Sequence, residues 1–179
     1  MRKTVKKFFW AWDFDKEEAW LNEMAAKGLC LVSVGYCRYD FEDCLPGEYS
    51  IRLELLKNKP SHPESVQYVE FLEETGAEHV GSYLNWVYLR KRKADGEFEL
   101  FSDNESRISH LTRIIRMILA LAIMNLCAGF YNITLLFAWD SGVSSLGFIN
   151  LALGIFCLLG VWKLHKKRKH LQEEQRVFE

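Results

Sequence analysis

Between Met117 and Trp162 the chain carries one charged residue, Asp140, which parts two runs otherwise free of Asp, Glu, Lys and Arg. Each run, 117–139 and 141–162, is long enough to cross about 30 Å of hydrocarbon as a helix. Helices in the core of a soluble domain are seldom so long and so free of charge on every face. The pattern predicts a transmembrane helical hairpin over 117–162, and it confines any soluble domain to roughly the first hundred residues.

The flanks give the expected orientation. Arg107, Arg113 and Arg116 precede the first run, and Lys163, Lys166, Lys167, Arg168 and Lys169 follow the second in a basic tail, 163–179. The turn between them offers only Asp140. By the positive-inside rule both termini are cytoplasmic, in a two-pass protein of the inner cell membrane whose partner is the lipid bilayer. Trp139 and Trp162 stand at run ends, where indole favours the lipid–water boundary. Asn125 and Asn132 share a helix face, and a hairpin turning near residue 140 brings Asn150 close to Asn132. These amides are expected to make polar contacts within the hairpin or across a homodimer. No ionisable group lies inside either run, which argues against a self-sufficient transporter or channel.

Ahead of the hairpin, chemistry-bearing patterns are scarce. A net charge of −1 with no basic stretch leaves no electrostatic footprint for nucleic acid. Cys30, Cys37 and Cys44 repeat at intervals that throw them to opposite faces of a strand, and none of the five cysteines forms a C-x-x-C pair. They are expected as small reduced thiols. The N-terminal Met1–Trp10 has basic residues but no apolar stretch of signal-peptide length. No His pair has metal-ligand spacing, and no phosphate loop or nucleophile motif occurs, so neither a cofactor nor an enzymatic activity is expected. Glu17, Glu18, Glu23, Glu70, Glu73 and Glu74 are expected on solvated helix faces.

The first part nevertheless has a clear order of elements. An apolar-aromatic stretch, Val5 to Trp10, suggests a strand. Asp15-Lys16-Glu17-Glu18 has the form of a capping box, followed by Ala19, Trp20, Leu21 and Met24 and closed by Gly28. Strand-like sequence covers Leu29 to Phe41, and strict alternation marks Tyr49 to Leu55. A second helix starts near Ser61-His62-Pro63-Glu64 and stops at Gly76; strand-like sequence returns from His79 to Arg92. The order β-α-β-β-α-β predicts an α+β, ferredoxin-like domain over 1–94. A linker and juxtamembrane stalk helix fill 95–116, and one helix should run from about residue 103 through the first span.

The cluster Phe8-Phe9-Trp10-Ala11-Trp12-Asp13-Phe14 holds more rings than one edge strand buries. Trp10, Trp12 and Phe14 are the candidate partner surface, since exposed aromatic groups mark interaction sites.

Whole blocks of the chain resemble a known family. They are Lys7-Phe8-Phe9-Trp10, Asp15 to Gly28, Pro46-Gly47-Glu48-Tyr49, Phe71 to Glu78, Trp86-Val87-Tyr88 and Phe98 to Ser102. In that order, over about residues 5 to 107, they resemble the bacterial family called domain of unknown function 2812. Lys27-Gly28-Leu29-Cys30 departs from the Gly-Trp usual there. The resemblance implies a small domain commonly followed by membrane helices and often encoded beside PadR-like transcription regulators; it brings no catalytic residues. The expected function is that of a membrane-anchored regulatory or sensory adaptor binding a cytoplasmic protein partner, such as a PadR-like regulator. The alternatives are an accessory subunit of a membrane transport complex and a small-molecule-binding sensor domain.

Overall fold

The computed structural model describes residues 2–101, 103–139 and 144–178, with the side chains of the last two helices described through 135 and from 146 to 175. Asp140 and the rest of 140–143, together with the side chains of 136–139 and of Ser144 and Ser145, lie outside the described residues. The chain forms two compact units, Met1–Ser102 and Asp103–Glu179.

The first unit is α+β: β1 (Lys3–Lys6), α1 (Phe14–Ala26), β2 (Leu29–Gly35), β3 (Arg38–Asp43), β4 (Tyr49–Leu55), α2 (Pro63–Glu74), β5 (Glu78–Tyr83) and β6 (Trp86–Arg92). Four strands in one ferredoxin-like pattern are expected from the sequence; six form, in two antiparallel sheets ordered β1-β3-β2 and β4-β6-β5. The extra strands arise because 29–41 and 79–92 each fold back as a hairpin. Their turns place Cys37 (φ 51°) and Leu84 (φ 54°), rather than glycines, in the left-handed region.

Each sheet, with its helix, is one copy of β-α-β-β. Gly28 (φ 79°) and Gly76 (φ 90°) end α1 and α2 in the same way. Irregularities break β2 between Leu31 and Ser33 and β5 between His79 and Gly81, at matching places in the two copies. The unit is therefore an internal structural duplication. The copies meet along β2 and β5, where Gly81 admits Val34; a Cβ at Gly81 would lie 3.2 Å from Val34 Cγ2.

Helix α1 starts at Phe14, with Asp13 as its N-cap, which carries Asp15 into the first turn. The capping box expected there does not form. Glu18 instead accepts from Arg52 Nη1 (3.2 Å) and from the Leu53 amide (3.0 Å). One turn on, Asn22 donates to the Ile51 carbonyl and accepts from the Ile51 amide, both at 2.9 Å. These side chains meet the free edge of β4, satisfying backbone groups that an edge strand would otherwise leave open. In α2, His62 is the N-cap, its Nδ1 accepting from the Glu64 amide.

The cysteine expectation is corrected. The β2–β3 hairpin supplies the turn that its reading lacked, so Cys30 and Cys44 meet at a Cα separation of 5.9 Å and are joined as a disulfide, while Cys37 stays free near the turn. Leu56, Leu72, Ala77, Val87, Leu89 and Phe98 form a core cluster, with Leu100 packed on it. The packed unit thus continues beyond the Ala94-Asp95-Gly96 turn.

In the second unit α3 (Asn104–Trp139) begins where Asp103 Oδ1 accepts from the Ser106 amide, and α4 spans Ser144–Phe178. Both are long and apolar enough to cross a membrane. Glycine sets their spacing. A Cβ at Gly129 would sit 2.7 Å from Leu151 Cδ2, one at Gly147 2.8 Å from Ile133 Cγ1, and one at Gly154 2.7 Å from Leu126 Cδ2. The same antiparallel register reaches Thr112, whose hydroxyl accepts from Arg168 Nη1 at 3.4 Å. The part of α3 ahead of its apolar run therefore pairs with the basic part of α4.

Candidate functional site

Tyr39 on β3 and Tyr88 on β6, one from each copy of the duplicated motif, converge on one carboxylate. Tyr39 donates to Glu17 Oε1 at 2.7 Å and Tyr88 to the same oxygen at 2.6 Å. Glu17, expected on a solvated face, is only 8% exposed. Once α1 starts at Phe14, the buried positions Phe14, Glu17, Leu21 and Ala25 follow the helical repeat, and Glu17 falls inside the stripe. Sequence reasoning missed it because its charge was taken to mean solvent, although Glu17 lies three and four residues before Trp20 and Leu21 on the apolar stripe. Burial raises the Glu17 pKa, and the two hydroxyl donors oppose that rise only in part. Both phenols are pushed up in turn, by burial first and then by the Glu17 charge. The site is built to hold a carboxyl group out of water. Among the described residues no hydrogen bond reaches its second oxygen, Oε2.

Further rings pack against Tyr39. Trp20, one helical turn beyond Glu17, meets Tyr39 edge-on at 5.0 Å and Phe41 at 5.8 Å. Phe9 lies 5.6 Å from Trp20 and 6.4 Å from Tyr39. The Lys7 ammonium lies over two of these rings, 4.9 Å from the Phe9 centroid and 4.5 Å from that of Trp20.

A second aromatic feature is the run of rings at Phe8, Trp10 and Trp12. Phe8 packs edge-on against Trp10 at 4.6 Å, and Trp10 stacks on Trp12 at 5.2 Å with planes 4° apart. Phe8 is 53% and Trp10 42% exposed, and Trp12 is half-buried. Phe14 is buried and lies 5.7 Å from Trp86, so the exposed aromatic surface comprises Phe8, Trp10 and the accessible part of Trp12. Arg2, Lys3, Lys6 and Lys7 make the adjoining segment basic. Part of that charge is engaged, for Arg2 and Arg38 pair with the buried Asp40 at 3.1 and 2.6 Å.

In the hairpin, Asn125 donates to the Leu121 carbonyl of its own helix at 2.9 Å. Asn132 and Asn150 are half-buried, and among the described residues no hydrogen bond joins them. Arg113 is half-buried and Arg116 exposed; on α4, Lys163, Lys166, Lys167 and Lys169 are exposed and Arg168 is half-buried. Arg168 also contacts His165 Nδ1 at 3.1 Å. Among the described residues no group of His, Cys, Asp and Glu has the arrangement of a metal site.

No curated protein matches the chain, and no solved structure does. One family model, described as Protein of unknown function (DUF2812), matches residues 13–123, from the start of α1 into the apolar part of α3. That match covers more than half of the sequence and joins the duplicated domain to the first long helix, and on it the chain belongs to the DUF2812 family.

Proposed function

We propose that this protein is a membrane-anchored regulatory adaptor: α3 and α4 hold the duplicated domain at the cytoplasmic face, and that domain docks a cytoplasmic protein. The observation that carries the reading is the exposed stack of Phe8, Trp10 and Trp12 beside a basic segment. Rings of this kind supply contact area at small entropic cost and are enriched where binding energy concentrates. Their basic surroundings suit a partner with an apolar patch rimmed by acidic groups, and a PadR-like regulator is the class proposed. The arginines and lysines flanking the two long helices support the cytoplasmic orientation. Copurification from detergent-solubilised membranes tests the reading: one soluble regulator should accompany the chain and be lost with Trp10→Ala, and its retention by the variant contradicts the surface.

The runner-up is an accessory subunit of a membrane complex. Asn132 and Asn150, half-buried and not bonded to each other, favour it, because an amide in hydrocarbon seeks a partner across a helix interface. Comigration with a polytopic protein that is lost on Asn132→Leu or Asn150→Leu would support it.

A further inference from the structure

Where α3 and α4 pair beyond their apolar runs, Arg168 is a cation held by neutral groups. Its Nη1 donates to the Thr112 hydroxyl at 3.4 Å across the helix pair, and its Nη2 meets His165 Nδ1 at 3.1 Å on its own helix. Thr112 gives its own proton to the Ile108 carbonyl at 2.8 Å, which leaves its oxygen to accept. A guanidinium only donates, so His165 Nδ1 accepts and the ring proton sits on Nε2 of an exposed side chain. The Nε of Arg168 is buried and makes no hydrogen bond among the described residues. The acids nearest in sequence, Glu173 and Glu174, face Lys169 and His170 instead.

Such a cation is desolvated on one side and still has donors to offer. Nη1 and Nη2 each keep one N–H after these bonds, a pair spaced to meet two oxygens of one phosphate. Arg116 lies four residues from Thr112, hence on the same face of α3, exposed and one turn nearer the apolar run. Neither Arg107 to Arg116 nor Lys163 to His170 contains an acidic residue. The position favours a lipid as the source of the anion. Arg116 adjoins Met117, where the first apolar run begins, and Arg168 stands six residues beyond Trp162, about 9 Å along the helix. The headgroup layer is about 5–8 Å deep on each side of the hydrocarbon, within reach of long arginine side chains at these positions. A zwitterionic headgroup would bring a cation of its own against these charges; an anionic one does not.

We propose that Arg168, His165 and Arg116 form a binding site for the phosphate of an anionic phospholipid, with Thr112 fixing the guanidinium that receives it. The inference rests on the reading of α3 and α4 as membrane-crossing helices and is independent of the Phe8–Trp10–Trp12 docking surface. It goes beyond the preference of basic flanks for one side of a bilayer, because it assigns the contact to one guanidinium fork held between two helices.

The test is microscale thermophoresis of the full chain in an uncharged maltoside detergent, with dioctanoyl phosphatidylglycerol, dioctanoyl phosphatidylcholine and inorganic phosphate as probes. The anionic lipid should bind the wild type about tenfold more tightly than the zwitterionic one, and inorganic phosphate should bind more weakly than the anionic lipid. Arg168→Gln should bring the two lipids to the same affinity. Arg168→Lys, which keeps the charge and loses the fork, should recover only part of the difference. Arg116→Gln, at an exposed position, should lower the affinity for the anionic lipid about threefold. Lys169→Gln, which removes a neighbouring cation already paired with Glu173 at 3.6 Å, should bind as the wild type does. A melting scan of each variant separates lost binding from lost folding. Alkaline carbonate extraction of cell membranes tests the anchoring by itself, and the wild type and Arg168→Gln should both stay in the membrane; release of both would overturn the anchoring and with it the lipid as ligand. With the anchoring intact, the proposal is overturned if the two lipids bind the wild type alike or if Arg168→Gln binds the anionic lipid as well as the wild type does. It is overturned equally if Lys169→Gln costs as much as Arg168→Gln, which would mean diffuse attraction, or if inorganic phosphate binds as tightly as the anionic lipid, which would make the ligand a free anion.

Discussion

Tyr88 donates its hydroxyl to Glu17 Oε1 at 2.6 Å across 71 residues of sequence, and in doing so ties the last strand of the second β-α-β-β copy to the helix of the first. With Tyr39 on the same oxygen, this carboxyl group becomes the point at which the two copies are fastened.

Stability should therefore depend on pH through Glu17. Its folded pKa lies above the ordinary value of 4.5, so the folded state favours the protonated form. The corresponding stabilisation is fully present below about pH 4.5 and is lost as the pH rises through the folded pKa. Glu17→Gln, neutral throughout, should gain stability relative to the wild type over that window, as read by melting temperature in detergent against pH. Parallel curves for the two proteins would contradict the account.

Asn22 is expected to matter beyond its size. Removing it with Asn22→Ala leaves the Ile51 amide without its partner, at a cost of about 1–3 kcal/mol if it stays dry, while the Ile51 carbonyl keeps only the Arg52 Nη1 donor at 3.3 Å. The same change opens the β4 edge, so the variant should also aggregate at lower temperature than the wild type, measured by light scattering during a melt.

How the sequence discloses this fold depends on the kind of signal. Charge-free runs are long-range and unmistakable, and the glycines at 28 and 76 end both helices where expected. The hairpin register was also legible, because a turn near 140 fixes it: Gly129 meets Leu151 and Gly147 meets Ile133. The two β-hairpins were not legible, since Cys37 and Leu84 take positive φ without glycine. The duplication was hidden too. Between the aligned stretches 14–43 and 62–91 only Gly28/Gly76 and Val32/Val80 are identical, because packing constrains burial and turn geometry more than identity. Glu17 was lost because a carboxylate was assigned to solvent by its charge, although its spacing from Trp20 and Leu21 puts it on the apolar stripe. The aromatic cluster was visible, but only its packing separates exposed Trp10 from buried Phe14.

The glycine seam of the hairpin makes a sharper prediction. At Gly147 an added Cβ meets Ile133 Cγ1 at 2.8 Å and backbone atoms of Gly129 and Ile133 at 3.2 Å, so the helices must separate to admit it. Gly147→Ala should destabilise the hairpin by about 1–3 kcal/mol. Met124→Ala, at an exposed position, should change little. Unfolding in detergent followed by helical circular dichroism compares the two.

The Cys30–Cys44 bond closes a loop with a sequence separation of 14, which corresponds to about 3 kcal/mol in chain-entropy terms. Cys44→Ser, or reduction of the purified protein, should lower stability by about that amount. The proposed cytoplasmic orientation predicts that this pair, joined in the structure, is reduced in cells. Rapid alkylation of intact cells followed by mass spectrometry reads this directly, and a bond already closed there would contradict the proposed orientation.

The most direct test of the adaptor reading is in-cell photocrosslinking from position 10 in the native membrane, with position 71, an exposed phenylalanine on α2, as the control. The account predicts that one soluble regulator is captured from position 10 and not from position 71. Capture of only the chain's own residues, or of a polytopic membrane protein, would contradict it.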